Sequence, residues 1–495
     1  MKAFDSRFQN AALRLTISAS VSAALHLSAS TVYVSLESKN PVAPYASWQT
    51  AANDIQHAVN FAKAGDTVLL TNGVYSPISV PISINVESVN GPLLTAIDGG
   101  GNQRCVRLAS NAVLSGLTLS NGVSVLGGGV LCDSGGVVTN CILTSNKAIS
   151  SEFALGGGAN GGTLYSCVLT GNSAESPNGS GGGGAFGSTL YDCTIRGNFD
   201  AGALNCVLYN CVVVSNAVAG VIDSILYNCR IDHNAGWFEG GGAQYSILFN
   251  CRLTGNGAVS SGGGAAHSRL YNCTLVANHC SEGGGGAFES ELYSCTLVGN
   301  SASVGGGAFG STLQNCIVHA NSNGNYTESY LSFCMTTPLP AEGVGNITGS
   351  PSFIDETAGD FRLQMGSPCI DAGTNLVDLA FVNENKGTPL TCEPVDVLGN
   401  TRFIDGNGDG IVTWDIGAYE FNSFKPPRFV RSPQRLTDGW KLTVTGEPNK
   451  WTKVQRSEDL KNWGDFWTGF MPPEGLTQIT DYETKPFMFY RAVVP

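Results

Sequence analysis

Two sets of residues in this 495-residue chain have the types and spacing to do chemistry. Tyr245, His267 and Glu289 each stand two residues past a G-G-G-A run, in three successive copies of a repeated segment; the same place in flanking copies holds Gly187 and Gly310. Stacking of the copies would set the three side by side. A carboxylate beside an imidazole suits general acid–base transfer, and a phenol can deliver a proton. The neighbouring column places Arg269 beside Glu291 and Arg230 beside Arg252. The plainer reading of both columns is a solvated ladder of cross-strand pairs. The second set is D-G-N-G-D-G-I-V-T-W-D from Asp405. Asp405, Asn407 and Asp409 take positions 1, 3 and 5 of a calcium loop, Gly410 the turn, the Ile411 carbonyl position 7 and Thr413 position 9. Asp415 falls at position 11 rather than 12, so flanking helices are not expected. Calcium here would be a structural clip rather than a catalyst, and the alternative is an Asp/Asn/Gly turn cluster without metal.

Both sets depend on what holds them. Nine segments share the form x-C-x-[LIV]-x-x-N, with cysteines at 141, 167, 193, 211, 229, 251, 273, 295 and 316 and an asparagine five residues after each. A tenth unit upstream places Gly116 in the cysteine column and Asn121 five residues on. Successive cysteines are 26, 26, 18, 18, 22, 22, 22 and 21 residues apart, so insertions fall between repeats, mainly before the G-G-G runs, which the two 18-residue units lack. Each unit holds short alternating strands such as L-Y-N-C-T-L-V and no long stretch of helical periodicity. One such unit cannot bury its apolar face alone, but stacked copies can, about 4.8 Å per coil. The pattern predicts an all-β parallel β-helix with Leu270, Cys273 and Leu275 pointing inward. The recurrent asparagine is expected at a corner, tolerating the left-handed conformation and bonding its counterpart in the next coil.

The units, for example G-G-G-A-F-E-S-E-L-Y-S-C-T-L-V-G-N from Gly284 to Asn300, resemble right-handed parallel β-helix proteins of the pectin-lyase-like superfamily. They look especially like the repeats of polymorphic outer-membrane autotransporter passengers, and the likeness covers about residues 31–421. Beyond Asn321, the stretches from Gly349, Phe361 and Asp415 (D-I-G-A-Y-E-F) resemble the closing region of secreted choice-of-anchor Q proteins, a family defined by architecture rather than reaction. Polysaccharide-cleaving members of the superfamily combine several calcium-binding Asp residues with a basic residue, or clustered Asp with G-H-G; neither constellation is present here.

The ends complete the expected organisation. Residues 1–30 carry Lys2, Arg7 and Arg14 before a mildly apolar stretch and read as a secretory signal peptide, with a disordered N-terminus as the alternative. Apolar spacing predicts a capping helix over about 47–64, opened by Ser47 and closed by Gly65. Regular repeats are expected over about 113–322 and a closing region over 323–421. Residues 426–495, with ten Lys+Arg and eight Asp+Glu and no cysteine, read as a small antiparallel β domain. Its Trp440, Trp451, Trp463, Phe466 and Trp467 suit either a sugar-stacking face or, more economically, a core. The nine column cysteines are expected as a ladder of free buried thiols, because stacked parallel side chains do not present the dihedral a bridge requires; Cys369 with Cys392 is the pair expected to form one if any does.

Composition narrows function. Charged residues are only 13 % and the formal net charge is −13, so no basic field exists for nucleic acid or an anionic membrane, and a polyuronate would be repelled. The expectation is a secreted or cell-surface rod that binds polysaccharide or envelope components. The alternative is a polysaccharide lyase or glycoside hydrolase using Tyr245, His267 and Glu289.

Overall fold

A computed structural model describes residues 29–177, 180–375 and 395–421, together with short segments between and beyond them that include the C-terminal strands. The leader expected at 1–30 lies almost wholly outside the described residues, and so does Cys392. From Thr31 to Thr336 the chain winds into a right-handed parallel β-helix whose faces are sheets of 14, 13 and 12 strands. One coil shows the order: Ala265–Ala266 on one face, Arg269–Tyr271 on the next, Thr274–Val276 on the third. All pairing between coils is in register and parallel, for example Arg269 with Glu291 and Leu275 with Leu297.

Three corners per coil share one construction. A residue in the left-handed conformation, such as His267 (φ 48°), Asn272 (φ 52°) or Ala277 (φ 53°), precedes a small inward-turned residue, here Ser268, Cys273 and Asn278. Each inward residue is an acceptor for the main-chain N–H of its counterpart one coil earlier: Ser246 N to Ser268 Oγ at 3.1 Å, Cys251 N to Cys273 Sγ at 3.4 Å, Asn256 N to Asn278 Oδ1 at 2.9 Å. Corner amides leave the sheets and are buried, so these ladders supply the partners they would otherwise lack. The asparagine ladder is closed further by side-chain amides, Asn256 Nδ2 donating to Asn278 Oδ1 at 3.0 Å and to the Ile231 carbonyl at 2.8 Å. Between corners, Leu248, Leu270, Leu292 and their equivalents are wholly buried and fill the interior.

The structure revises several details. The left-handed residue is the one before the ladder asparagine, not the asparagine itself. In the first regular coil Leu117 pairs above Cys141 and Gly122 above Asn146, so Gly116 and Asn121 each lie one residue early. Leucine replaces cysteine there because both fill an apolar interior. Cys334 extends the thiol column, its Sγ accepting from Cys316 N at 3.4 Å, while Cys206 sits in the serine column. All fifteen cysteines among the described residues are free, Cys369 included.

The N-terminal helix is Ile55–Phe61, shorter than the 47–64 expected; Asp54 caps it by accepting from His57 N at 3.0 Å, and Ser47 instead precedes a 3-10 turn at Trp48–Thr50. Ile55, Ala58 and Val59 are buried against the first coil. Residues 353–375 and 395–421 lie along the outside of the last coils. There Phe353, Phe361, Ile370 and Ile416 cover outward Val298 and Ile317, and Ala418 N donates to Thr296 Oγ1 at 2.9 Å. The C-terminal strands, among them Gly439–Thr445, Trp451–Ser457 and Leu476–Asp481, form small antiparallel sheets around Leu442, Val444, Val454 and Ile479. Phe466 and Trp467 pack on that core, Arg491 lies 4.4 Å over the Trp463 ring, and the side chain of Trp451 is outside the described residues. Among the described residues no helix is long and apolar enough to cross a membrane.

Candidate functional site

The corner that carries the serine ladder also displays its left-handed residues outward. In successive coils these are Asn205, Asp223, Tyr245, His267 and Glu289, linked main chain to main chain from Asp223 N to Gln244 O, Tyr245 N to Ala266 O and His267 N to Phe288 O. The positive φ is the geometry of the corner and recurs at every coil, so it is not strain special to this site.

The column aligns as its spacing predicts. The Tyr245 and His267 rings stack with centroids 5.0 Å apart and planes 11° from parallel. His267 Nδ1 lies 3.4 Å from Glu289 Oε2. The other ring nitrogen, Nε2, meets Glu239 Oε2 at 2.8 Å. Glu239 was not among the expected residues; it sits at the end of the inserted loop W-F-E before Gly240, where insertion length rather than register decides placement. Phe288 abuts the His267 ring edge-on at 5.6 Å. An imidazolium donates to both carboxylates at once, whereas a neutral ring satisfies only one. The His267 side chain is 24 % exposed and that of Glu289 54 %, so the imidazole is half-buried between its neighbours while Glu289 faces solvent. Asp223, one coil before Tyr245, also escaped the sequence reading, because its coil is 18 residues long and has no G-G-G marker; partial burial raises its carboxyl above the ordinary value. In the adjacent column Arg269 grips Glu291 with Nε to Oε2 at 2.7 Å and Nη2 to Oε1 at 3.1 Å, and Arg230 and Arg252 are paired in register.

The 405–415 segment lies far along the chain, in the flanking region. Asp405 Oδ1 and Oδ2 accept from Gly408 N at 2.6 Å and Gly410 N at 2.9 Å, and Asn407 and Asp409 each accept from a main-chain N–H two residues on. Ile411 is exposed and Thr413 half-buried on the same loop. Asp415 turns inward: its oxygens accept from Asp371 N at 2.8 Å and from Phe421 N. Asp371 reaches the loop instead, bonding Asn407 N at 2.7 Å through Oδ2 while its buried Oδ1 has no partner. The oxygen-rich loop with Asp371 beside it fits a hard cation in donor type, although among the described residues no three His, Cys, Asp or Glu side chains converge on one point. Beneath the loop, buried Arg402 pairs with Glu420 at 3.2 Å and donates to Asn272 Oδ1 at 3.1 Å, tying the flank to the solenoid. Burial pushes the Glu420 carboxyl up to about 9 and that of Asp415 up to about 7.

No family model and no curated protein matches the chain. Among solved structures it is similar to the pectate lyase Pel9A, at 13 % identity and a TM-score of 0.35 over 79 % of this chain and 96 % of that one. It is similar to the Dettilon tailspike protein at 10 % identity and 0.34, over 90 % and 81 %. A surface adhesin of Streptococcus pneumoniae, PfbA, aligns at 7 % identity and 0.22, over 59 % and 85 %. These identities concern fold alone.

Proposed function

We propose that the protein is a secreted or cell-surface β-helix rod that binds glycans or envelope components through the side of its solenoid. One observation carries binding over catalysis: both ring nitrogens of His267 are held by carboxylates, Glu239 at 2.8 Å and Glu289 at 3.4 Å. A general base needs a free nitrogen within reach of the proton it takes, and here that requires first displacing a carboxylate from one ring nitrogen. The same arrangement suits recognition, since it fixes a phenol ring, an imidazole and two carboxylates as a hydrogen-bonding strip.

Incubation with a glycan array followed by analysis of the supernatant tests this reading. Retention without product release is expected. Release of new reducing ends or unsaturated products that His267→Ala, Glu289→Gln and Tyr245→Phe each abolish would establish the lyase or hydrolase reading instead.

Calcium, in this proposal, is held by Asp405, Asn407, Asp409, the Ile411 carbonyl and Thr413, with Asp371 nearer than Asp415, and clips the flank in place. Chelation is then expected to lower Tm by about 3 °C, and the difference should vanish in an Asp405→Asn, Asp409→Asn variant.

A further inference from the structure

The connections that follow the asparagine ladder differ in length in a way that shapes the surface. Twelve residues (147–158 and 173–184) join ladder to next face in two successive coils, then only four (199–202 and 217–220) in the next two, then eight (235–242, 257–264 and 279–286) in the following three. Main-chain bonds keep these segments in one stack, from Phe199 N to Asn172 O, Ala217 N to Asn198 O and Ala235 N to Asn216 O. Among the described residues the long connections extend beyond the short pair, which leaves a notch between them. Its bounding loops are three coils apart, about 14 Å at about 4.8 Å per coil. Two faces packed side chain to side chain sit about 10 Å apart, so the notch is wider by about 4 Å, the contact thickness of one ring.

Large aromatic rings on the segments that form the floor and one wall are left exposed among the described residues. Phe199 on the floor is 68 % exposed, and Trp237 and Phe238, on the first long loop after the short coils, are 70 % and 73 % exposed. Such large rings are normally buried on at least one side. Across the opposite wall a shallow depression runs from Ile149 and Ser150, one coil earlier, past Glu175 and Pro177 to Asp200 on the floor. Residues 173–177, 199–202, 217–220 and 235–239 include Glu175, Asp200 and Glu239 but no Lys or Arg; the nearby Lys147 is paired with Glu175 at 2.5 Å. On the floor, Phe199 N and Ala217 N bond the preceding coil and Gly202 N and Gly220 N the following one, so these amides offer no strand edge for a peptide to extend.

We infer that this notch binds a single strand of uncharged polysaccharide lying across the solenoid. Saturated rings would stack on Trp237, Phe238 and Phe199, and sugar hydroxyls would donate to the wall carboxylates. The acidic walls and the net charge of −13 exclude a polyuronate. The inference rests on the glycan-binding reading above and assigns it a place and a ligand class.

Calorimetric titration of the full chain with neutral glucose, mannose and xylose hexasaccharides and with a hexauronate tests it. At least one neutral oligomer is expected to bind, and the uronate at least tenfold more weakly. Trp237→Ala and Phe199→Ala should each weaken binding tenfold or more, and Ala217→Trp, which fills the floor, should do the same, with unchanged melting curves. Tighter binding of the uronate, or neutral binding that all three substitutions leave intact, overturns the notch while glycan binding stands. Absence of any glycan binding overturns both.

Discussion

At the scale of residues, the three inward ladders show why small polar side chains recur inside an apolar tube. Ser, Cys and Asn each offer an acceptor to a corner amide, and Asn adds an amide donor for a carbonyl of the preceding coil where Cys offers the weaker thiol, Cys273 Sγ to Leu248 O at 3.6 Å. Asn256→Ala removes the acceptor for Asn234 N and Nδ2 and the donor to Ile231 O. Its cost is expected at about 2–4 kcal/mol, measured by urea unfolding. Thiol reactivity is a second check. Burial pushes Cys105 and Cys132 up to about 12, and among the described cysteines only Cys280 is not buried. Native protein treated with iodoacetamide should be modified at Cys280, while peptides carrying Cys141 to Cys334 of the column stay unlabelled until the chain is unfolded. The cysteine and asparagine columns were legible because both residue types are distinctive. The serine column was not, since Ser is common and Cys206 interrupts it. Tyr245, His267 and Glu289 aligned because one marker precedes all three; Glu239 escaped because no register argument reaches into a loop.

At the scale of elements, the G-G-G runs divide their labour. The first glycine of a run adopts positive φ, as at Gly262 (65°), while the third is demanded by proximity: a Cβ on Gly264 would lie 2.5 Å from the Gly286 carbonyl and 3.1 Å from the Asn278 amide. The 18-residue coils keep that third glycine as Gly202 and Gly220, although they lack the run. Gly264→Ala should therefore destabilise by more than about 2 kcal/mol, and Gly187→Ala, at φ 59° with open space around its Cβ, by only about 1. Paired urea melts of the two variants decide this. Strand content and face order were readable from alternation and period. Register at the first coil was not, because Gly116 and Leu117 are adjacent and neither is cysteine. The helix fell short because Trp48 and Ala51, though correctly spaced, precede Asp54, whose side chain starts the helix anew.

For the whole molecule, sequence repetition made the rod evident, but repetition says nothing about what lies beside it. The flank at 353–421 and its tie through Arg402 to Asn272 join positions 130 residues apart, a contact no local pattern encodes. The notch, by contrast, was already implicit in two consecutive intervals of 18 residues.

Because the sheet hydrogen bonds between coils run along the rod, a pull on its two ends loads the coils one after another rather than all together. Each released turn of 22 residues frees about 75 Å of chain and each 18-residue turn about 60 Å. Single-molecule extension should thus give a sawtooth whose steps follow the turn lengths, longest for the two 26-residue turns and shortest for the 18-residue ones, a mechanical print-out of the repeat.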